Sequence, residues 1–281
     1  MTTPTPTPTR DQVRDQWEAI ASGFDEYVTP NTLRLGERAL ERIDVGPGTR
    51  LLDVAAGTGA LALPAARRGA EVVAVDLAPG MVDRLDSRAR AEGLASVETR
   101  TMDCESLDFG DGAFDVAASQ NGVTMSPDLR SGLSEMVRVT RQGGTVLVVA
   151  FGAMARAEFL GLFVGAVGAA VPGFSGLPKD QPPPPFQLAD PDMFRGTLDT
   201  VGLTGTAVDT VTWDMPFGSG TELWNEVTSS HPIGARLVSG LDTEQRAVVR
   251  DVLDGVLRER SGGRDGAVLH AEVNIGWGTK A

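Results

Sequence analysis

Residues 50–76 read RLLDVAAGTGALALPAARRGAEVVAVD, and this stretch decides the fold. It opens on an apolar run, Leu51 to Ala55, preceded by the turn formers Gly46, Pro47 and Gly48, which is the pattern of a buried parallel strand. Gly57 and Gly59 then turn the chain tightly, and Leu61, Leu63, Ala65 and Ala66 carry the spacing of a helix packed closely on a sheet. A second apolar run, Glu71 to Val75, ends in Asp76. The unit is strand, turn, helix and strand, with a backbone-lined cavity at its mouth and an acid at the tip of the second strand.

Each part has a physical use. Glycines at the turn let backbone N–H groups approach a ligand with no Cβ in the way, and the helix that follows points its N-terminus at that ligand. Asp76 is placed to accept hydrogen bonds from the two hydroxyls of a ribose, so the unit reads as an adenosine-type nucleoside site. The run Gly57 to Ala62 also satisfies the loose dinucleotide pattern G-x-G-x-x-A. Asp53, inside the first strand, discriminates: a carboxylate there repels a pyrophosphate and attracts the ammonium end of S-adenosylmethionine.

The segment DVAAGTGALA, from Asp53, resembles the first motif of the class I methyltransferases, D/E-x-x-x-G-x-G, with Ala55 where a glycine is common. Three further stretches extend the resemblance across residues 45 to 151. Asp103, in Met102-Asp103-Cys104-Glu105 beyond the third apolar run, matches by position the family's acid that accepts from the adenine amine, with Met102 as an apolar face and Cys104 as a small filler. Ser119-Gln120-Asn121-Gly122 ends the fourth strand, where the family brings sulfonium and substrate together. EMVRVTRQGGTVLVV matches the family's helix, turn and central strand that follow.

The resemblance implies a Rossmann-like α/β fold, with a seven-stranded, mostly parallel sheet under a helical lid. It implies S-adenosylmethionine as cofactor and methyl transfer as the activity. The cofactor contacts it implies are Tyr27, Asp53, Ala55, Gly57, Gly59, Asp76, Leu77, Met81, Met102, Asp103, Cys104, Ser119 and Gln120. Tyr27, in FDEYVTP, is expected to line the methionine end of the cofactor, as the equivalent segment does in the family.

The rest of the chain divides into core and lid. Residues 1–9 are a Thr-Pro repeat expected to be extended or disordered. Residues 10–281 form a single domain, with a core of 45–152, 189–217 and 264–281 and a lid of 10–44, 153–188 and 218–263. Val13, Trp17, Ile20 and Phe24 have helical spacing, and a second helix follows from Thr32 to Ile43. The inserts 153–188 and 218–263 interrupt sheet elements and are expected above the carboxyl edge, where they set the substrate. Their aromatic residues point to a small, largely apolar acceptor, with Trp17, Phe151, Phe159, Phe163 and Trp224 as candidate contacts. A phosphorylated substrate would want converging bases, and only Arg156, Lys179, Arg195 and Arg236 are near candidates.

A sulfonium methyl is already activated, so the protein must align the acceptor and exclude water, with a base needed only where the acceptor has a proton to lose. His231, in Ser229-Ser230-His231-Pro232, is the candidate base, and His270 in the last strand is the structural histidine. Two other readings stay open: a cyclase or binding protein that holds the same cofactor without transferring methyl, and an NAD-dependent oxidoreductase on the same sheet.

Composition bounds the partners. With 38 acidic against 25 basic residues the net charge is −13, which disfavours nucleic acid and anionic membranes. No apolar run has the length of a membrane span and the N-terminus lacks a signal-peptide pattern, so a cytoplasmic location, a small-molecule partner and a role in specialised metabolism are expected. A homodimer is compatible with the sequence. The single cysteine, Cys104, excludes an internal disulfide, and no metal-ligand spacing appears.

Overall fold

The computed structural model describes residues 9–174, 176 and 183–281. Most of the Thr-Pro repeat, Lys179 and much of the proline-rich link near residue 180 lie outside the described residues. Thr9 belongs to the first helix, α1 (Arg10–Gly23), as its N-cap: its side chain accepts from Gln12 N while Gln12 returns a bond to Thr9 N. Phe24–Val28 continues the chain as one wide π-helical turn, and α2 (Thr29–Ala39) follows with Pro30 in its first turn.

The nucleoside unit then forms as β1 (Arg50–Val54), α3 (Ala62–Arg67) and β2 (Glu71–Asp76), followed by α4 (Pro79–Ala91) and β3 (Val97–Thr101). The sheet continues with β4 (Phe114–Gln120), α5 (Leu129–Val139) and β5 (Thr140–Phe151). Beyond it come α6 (Glu158–Ala170), α7 (Pro191–Thr200), β6 (Leu203–Phe217), α8 (Gly220–Ser230), α9 (Pro232–Leu237), α10 (Thr243–Arg260) and β7 (Ala267–Lys280).

The seven strands run in the order β3-β2-β1-β4-β5-β7-β6. All pairs from β3 to β5 are parallel, and β7 alone is inserted antiparallel between β5 and β6. The central strands read as continuous apolar runs because both faces are covered. Leu51, Val72, Ala74, Val116, Ala118 and Leu147 pack toward α2, α3 and α4, while their neighbours Leu52, Val54, Val73, Val75, Ala117 and Val146 pack toward α5 and α7. This alternation fixes which side chain of each strand looks toward which layer.

The two inserts do pack on one another. Phe163 of α6 and Trp224 of α8 have ring centroids 5.7 Å apart, and Arg250 of α10 lies over the same tryptophan. Gly220 sets the approach of α8 to α10: a Cβ there would stand 2.4 Å from Asp254 N and 2.5 Å from Arg250 O, so no larger residue fits. Helix α9 was not foreseen. It is short, and His231 supplies its start by accepting from Ile233 N, a role no helix-start pattern signals.

Candidate active site

A cavity of about 360 Å³ opens above the carboxyl ends of β1 to β5, within the range of small-ligand sites. Its floor at one end is the turn after β1. Ala55 and Gly57 both have positive φ, 53° and 54°, which turns the backbone under the cavity. Across from it stands Phe24, whose Cε1 lies 3.7 Å from where a Cβ on Gly57 would be, so a side chain at that position would enter the space itself.

Asp76 completes this floor. Its Oδ2 accepts from Gly57 N at 2.8 Å and its Oδ1 from Ala78 N at 2.9 Å, tying the tip of β2 to the turn. Burial raises its pKa above the ordinary carboxylate value, and the amide donors oppose that shift. Leu77, Met81, Met102, Asp103 and Cys104 extend the wall from α4 to the loop beyond β3. Burial pushes the Cys104 thiol up to about 12, so it lines the wall as an unreactive group. Helix α1 covers this end: Trp17 lies in the wall, and Arg10 Nε meets Asp103 Oδ2 at 2.8 Å.

The other end is aromatic. Phe151, at the tip of β5, has ring neighbours Phe186 at 5.4 Å, Phe159 at 6.0 Å and Trp213 at 6.0 Å, and all four line the cavity. Between the two ends Thr32, Gln120, Asn121, Glu226, Ser230 and His231 form a polar band. Gln120 Nε2 donates to Thr32 O, but Gln120 Oε1 and Asn121 Oδ1 are buried with no partner. Such acceptors are costly unless a ligand brings donors.

Several expected contacts lie elsewhere. Asp53 is buried beneath the turn, where its Oδ2 accepts from Ala62 N and holds the start of α3; burial raises its pKa to about 8. It faces the α3 layer because strand alternation puts it on the side of Leu51. Gly59, at φ 100°, serves packing: a Cβ would be 2.9 Å from Leu63 Cγ. Ser119 points inward, donating to Val54 O and accepting from Val123 N, while Gln120 takes the outward direction. Tyr27 is off the wall because the π-turn presents Phe24 and Val28 in its place. Phe163 and Trp224 are core between α6 and α8.

His231 does line the cavity, but not as a free base. Its Nδ1 accepts from Ile233 N at 3.0 Å, and its ring meets Trp17 edge-on at 5.4 Å. Burial lowers its pKa to about 4, Arg236 adding to the effect, so the ring is neutral and, with Nδ1 accepting, its proton sits on the outer nitrogen. His270 pairs with Asp214 across β6 and β7. The residue that sequence reading missed is Glu226. It is 3% exposed, its Oε2 accepts from Asn31 Nδ2 at 2.7 Å, and burial raises its pKa to about 8. The signal was an acid on the core face of α8, three residues after Leu223 and next to Val227.

Comparison with known proteins completes the picture. Residues 52–148 match the family model described as a methyltransferase domain. The match spans the glycine turn and the strands β2, β3 and β4. An uncharacterized protein of Mycobacterium tuberculosis is 40% identical over 117 residues, 42% of this chain and 42% of its own length. The chain thus spans about half or less of the first curated relatives it matches. A demethylmenaquinone methyltransferase of Corynebacterium urealyticum is 29% identical over 185 residues, 64% of this chain and 76% of that protein. The structure of the [4+2]-cyclase SpnF shares the fold, with a TM-score of 0.60 and 17% identity over 99% of this chain and 100% of that one.

The residues around the cavity fit S-adenosylmethionine on their own terms. Among the described residues the cavity wall carries Asp76, Asp103 and Glu105 against one permanently charged base, Arg10, which suits a cationic ligand. Among the described residues no group of three His, Cys, Asp or Glu can hold a metal ion, and no helix is long and apolar enough to cross a membrane.

Proposed function

We propose that the protein transfers the methyl group of S-adenosylmethionine to a small, largely apolar acceptor held at the aromatic end of the cavity. The observation that carries this reading is the continuity of one cavity from the Gly57–Asp76 turn to the Phe151 cluster. When bound, the cofactor supplies a methyl group already activated on sulfonium. Asp76 would hold the ribose hydroxyls, using the lone pairs left after its two backbone amides. Asp103 would take the adenine amine, Leu77, Met81 and Met102 would pack on the nucleoside, and Gln120 would face the methionine end. The Phe151 cluster positions the acceptor and, with α1 closed by Arg10, keeps water out.

Among the described residues no Arg or Lys lines the aromatic end, which disfavours a phosphorylated acceptor. The likeness to a demethylmenaquinone methyltransferase makes fused-ring acceptors the first class to test. A cofactor-holding cyclase is the second reading, favoured by the full-length likeness to a [4+2]-cyclase. The test is incubation with methyl-tritiated S-adenosylmethionine and ring hydroxyl compounds, followed by mass analysis. A product heavier by one methylene and carrying label supports transfer, and a product of unchanged mass without label supports the cyclase reading.

A further inference from the structure

The polar band between the two ends of the cavity holds a carboxyl group that the proposed cofactor contacts leave unused. Glu226 reaches the cavity from α8, and only its Oε2 is engaged, by Asn31. Among the described residues its Oε1 takes no donor. Asn31 is itself buried, at 7% exposure, and directly precedes Thr32, whose carbonyl fixes Gln120. A carboxylate so oriented, in a wall shared with flat aromatic rings, asks the acceptor for one O–H on an otherwise apolar ring.

We propose that Glu226 is the catalytic base of this protein and that its substrate class is a ring-borne, acidic hydroxyl compound, a phenol or enol. This rests on the methyl-transfer reading above. As the acceptor oxygen forms its bond to the methyl carbon, the carbon–sulfur bond breaks with its electron pair left on sulfur. The hydroxyl proton passes to Glu226 Oε1. The carboxylate becomes a neutral acid and the sulfonium a neutral thioether, so charge balances. Burial, which raises the carboxyl to about 8, brings it toward the range of a phenol and suits it to take that proton. A ring ammonium fits less well, because burial disfavours the charge pair it would form with Glu226, whereas a hydroxyl bonds the carboxyl in either protonation state and gives its proton to the ionised form as pH rises toward 8.

The test uses the full chain saturated with S-adenosylhomocysteine, with 2-naphthol, its methyl ether 2-methoxynaphthalene, and 1-aminomethylnaphthalene as probes. Titration of the wild type is expected to favour the naphthol over the ether by roughly tenfold or more, with the amine weaker than the naphthol. Glu226→Leu should erase the preference while leaving the ether's affinity within about threefold. Glu226→Gln, which keeps the bond from Asn31, should bind naphthol nearly as wild type but form 2-methoxynaphthalene from S-adenosylmethionine at least about a hundredfold more slowly. Thermal melts establish that both variants are folded.

Tighter binding of the amine, no binding of either naphthalene, an unchanged preference in Glu226→Leu, undiminished methylation by Glu226→Gln, or no wild-type methylation of naphthol would each overturn the proposal. Absence of S-adenosylhomocysteine binding, measured first and alone, would instead remove the methyl-transfer reading.

Discussion

Asn31 Nδ2 and Glu226 Oε2 stand 2.7 Å apart although 195 residues separate them in the chain. The bond joins the N-terminal helices to the second insert across the roof of the cavity. It also holds a buried carboxyl in place, and so ties the stability of the lid to pH.

The sign of that dependence follows from the raised pKa. In the unfolded chain Glu226 titrates near the ordinary carboxylate value, while in the folded protein it holds its proton up to about 8. The folded state therefore binds more protons between these values, and the stabilisation present below the lower value is lost as pH rises through the upper one. Denaturant melts should show Glu226→Gln gaining on the wild type between pH 5 and pH 8, by an amount on the order of 2 kcal/mol. Asp53, also raised to about 8, contributes the same slope to both proteins and cancels from the difference.

The two acids of the nucleoside unit should separate by their effects. Asp76→Ala removes a carboxylate from the cavity floor and the anchor of two amides, and should weaken S-adenosylhomocysteine binding by at least about tenfold. Asp53→Asn keeps an acceptor for Ala62 N and leaves the wall untouched, so affinity should stay within about threefold. Calorimetric titration of both variants checks the contrast, and equal losses would put Asp53 back in the site.

Arg10 is 61% exposed by side chain and its partner Asp103 15%, so the ion pair adds little to stability. Arg10→Ala should change the unfolding free energy by less than about 1 kcal/mol. Its effect belongs to the cover over the cavity, and stopped-flow measurement should show faster release of S-adenosylhomocysteine, with the association rate little altered.

His231 should act as a cap and a donor. His231→Asn retains a side chain suited to starting α9 and should hold stability within about 0.5 kcal/mol, whereas His231→Ala should cost about 1 kcal/mol. Neither should remove a limb between pH 6 and 7 from the turnover profile, since the histidine titrates at about 4. A lost limb in that window would return the base role to His231.

What could be read from the sequence was what is local. The glycine turn, Asp76 and the acid pair after β3 sit in one contiguous run whose spacing fixes their geometry, and the parallel order of the sheet follows from it. Directions within elements were harder. Asp53 and Ser119 lie in the right strands, but alternation turns each toward the interior, and Tyr27 is displaced by a π-turn that no residue pattern announces. The aromatic residues of the inserts divide between wall and core by how α6 meets α8, which depends on Gly220 against α10. Glu226 was hidden for a related reason, since its partner comes from the other end of the chain.

The measurement that tests the central claim most directly is calorimetric titration of the purified full chain with S-adenosylmethionine, S-adenosylhomocysteine and NAD in parallel. Saturable one-to-one binding of both sulfur nucleosides, with no heat from NAD beyond dilution, is the predicted result. Binding of NAD in their place would contradict the reading of this cavity as a methyl-donor site.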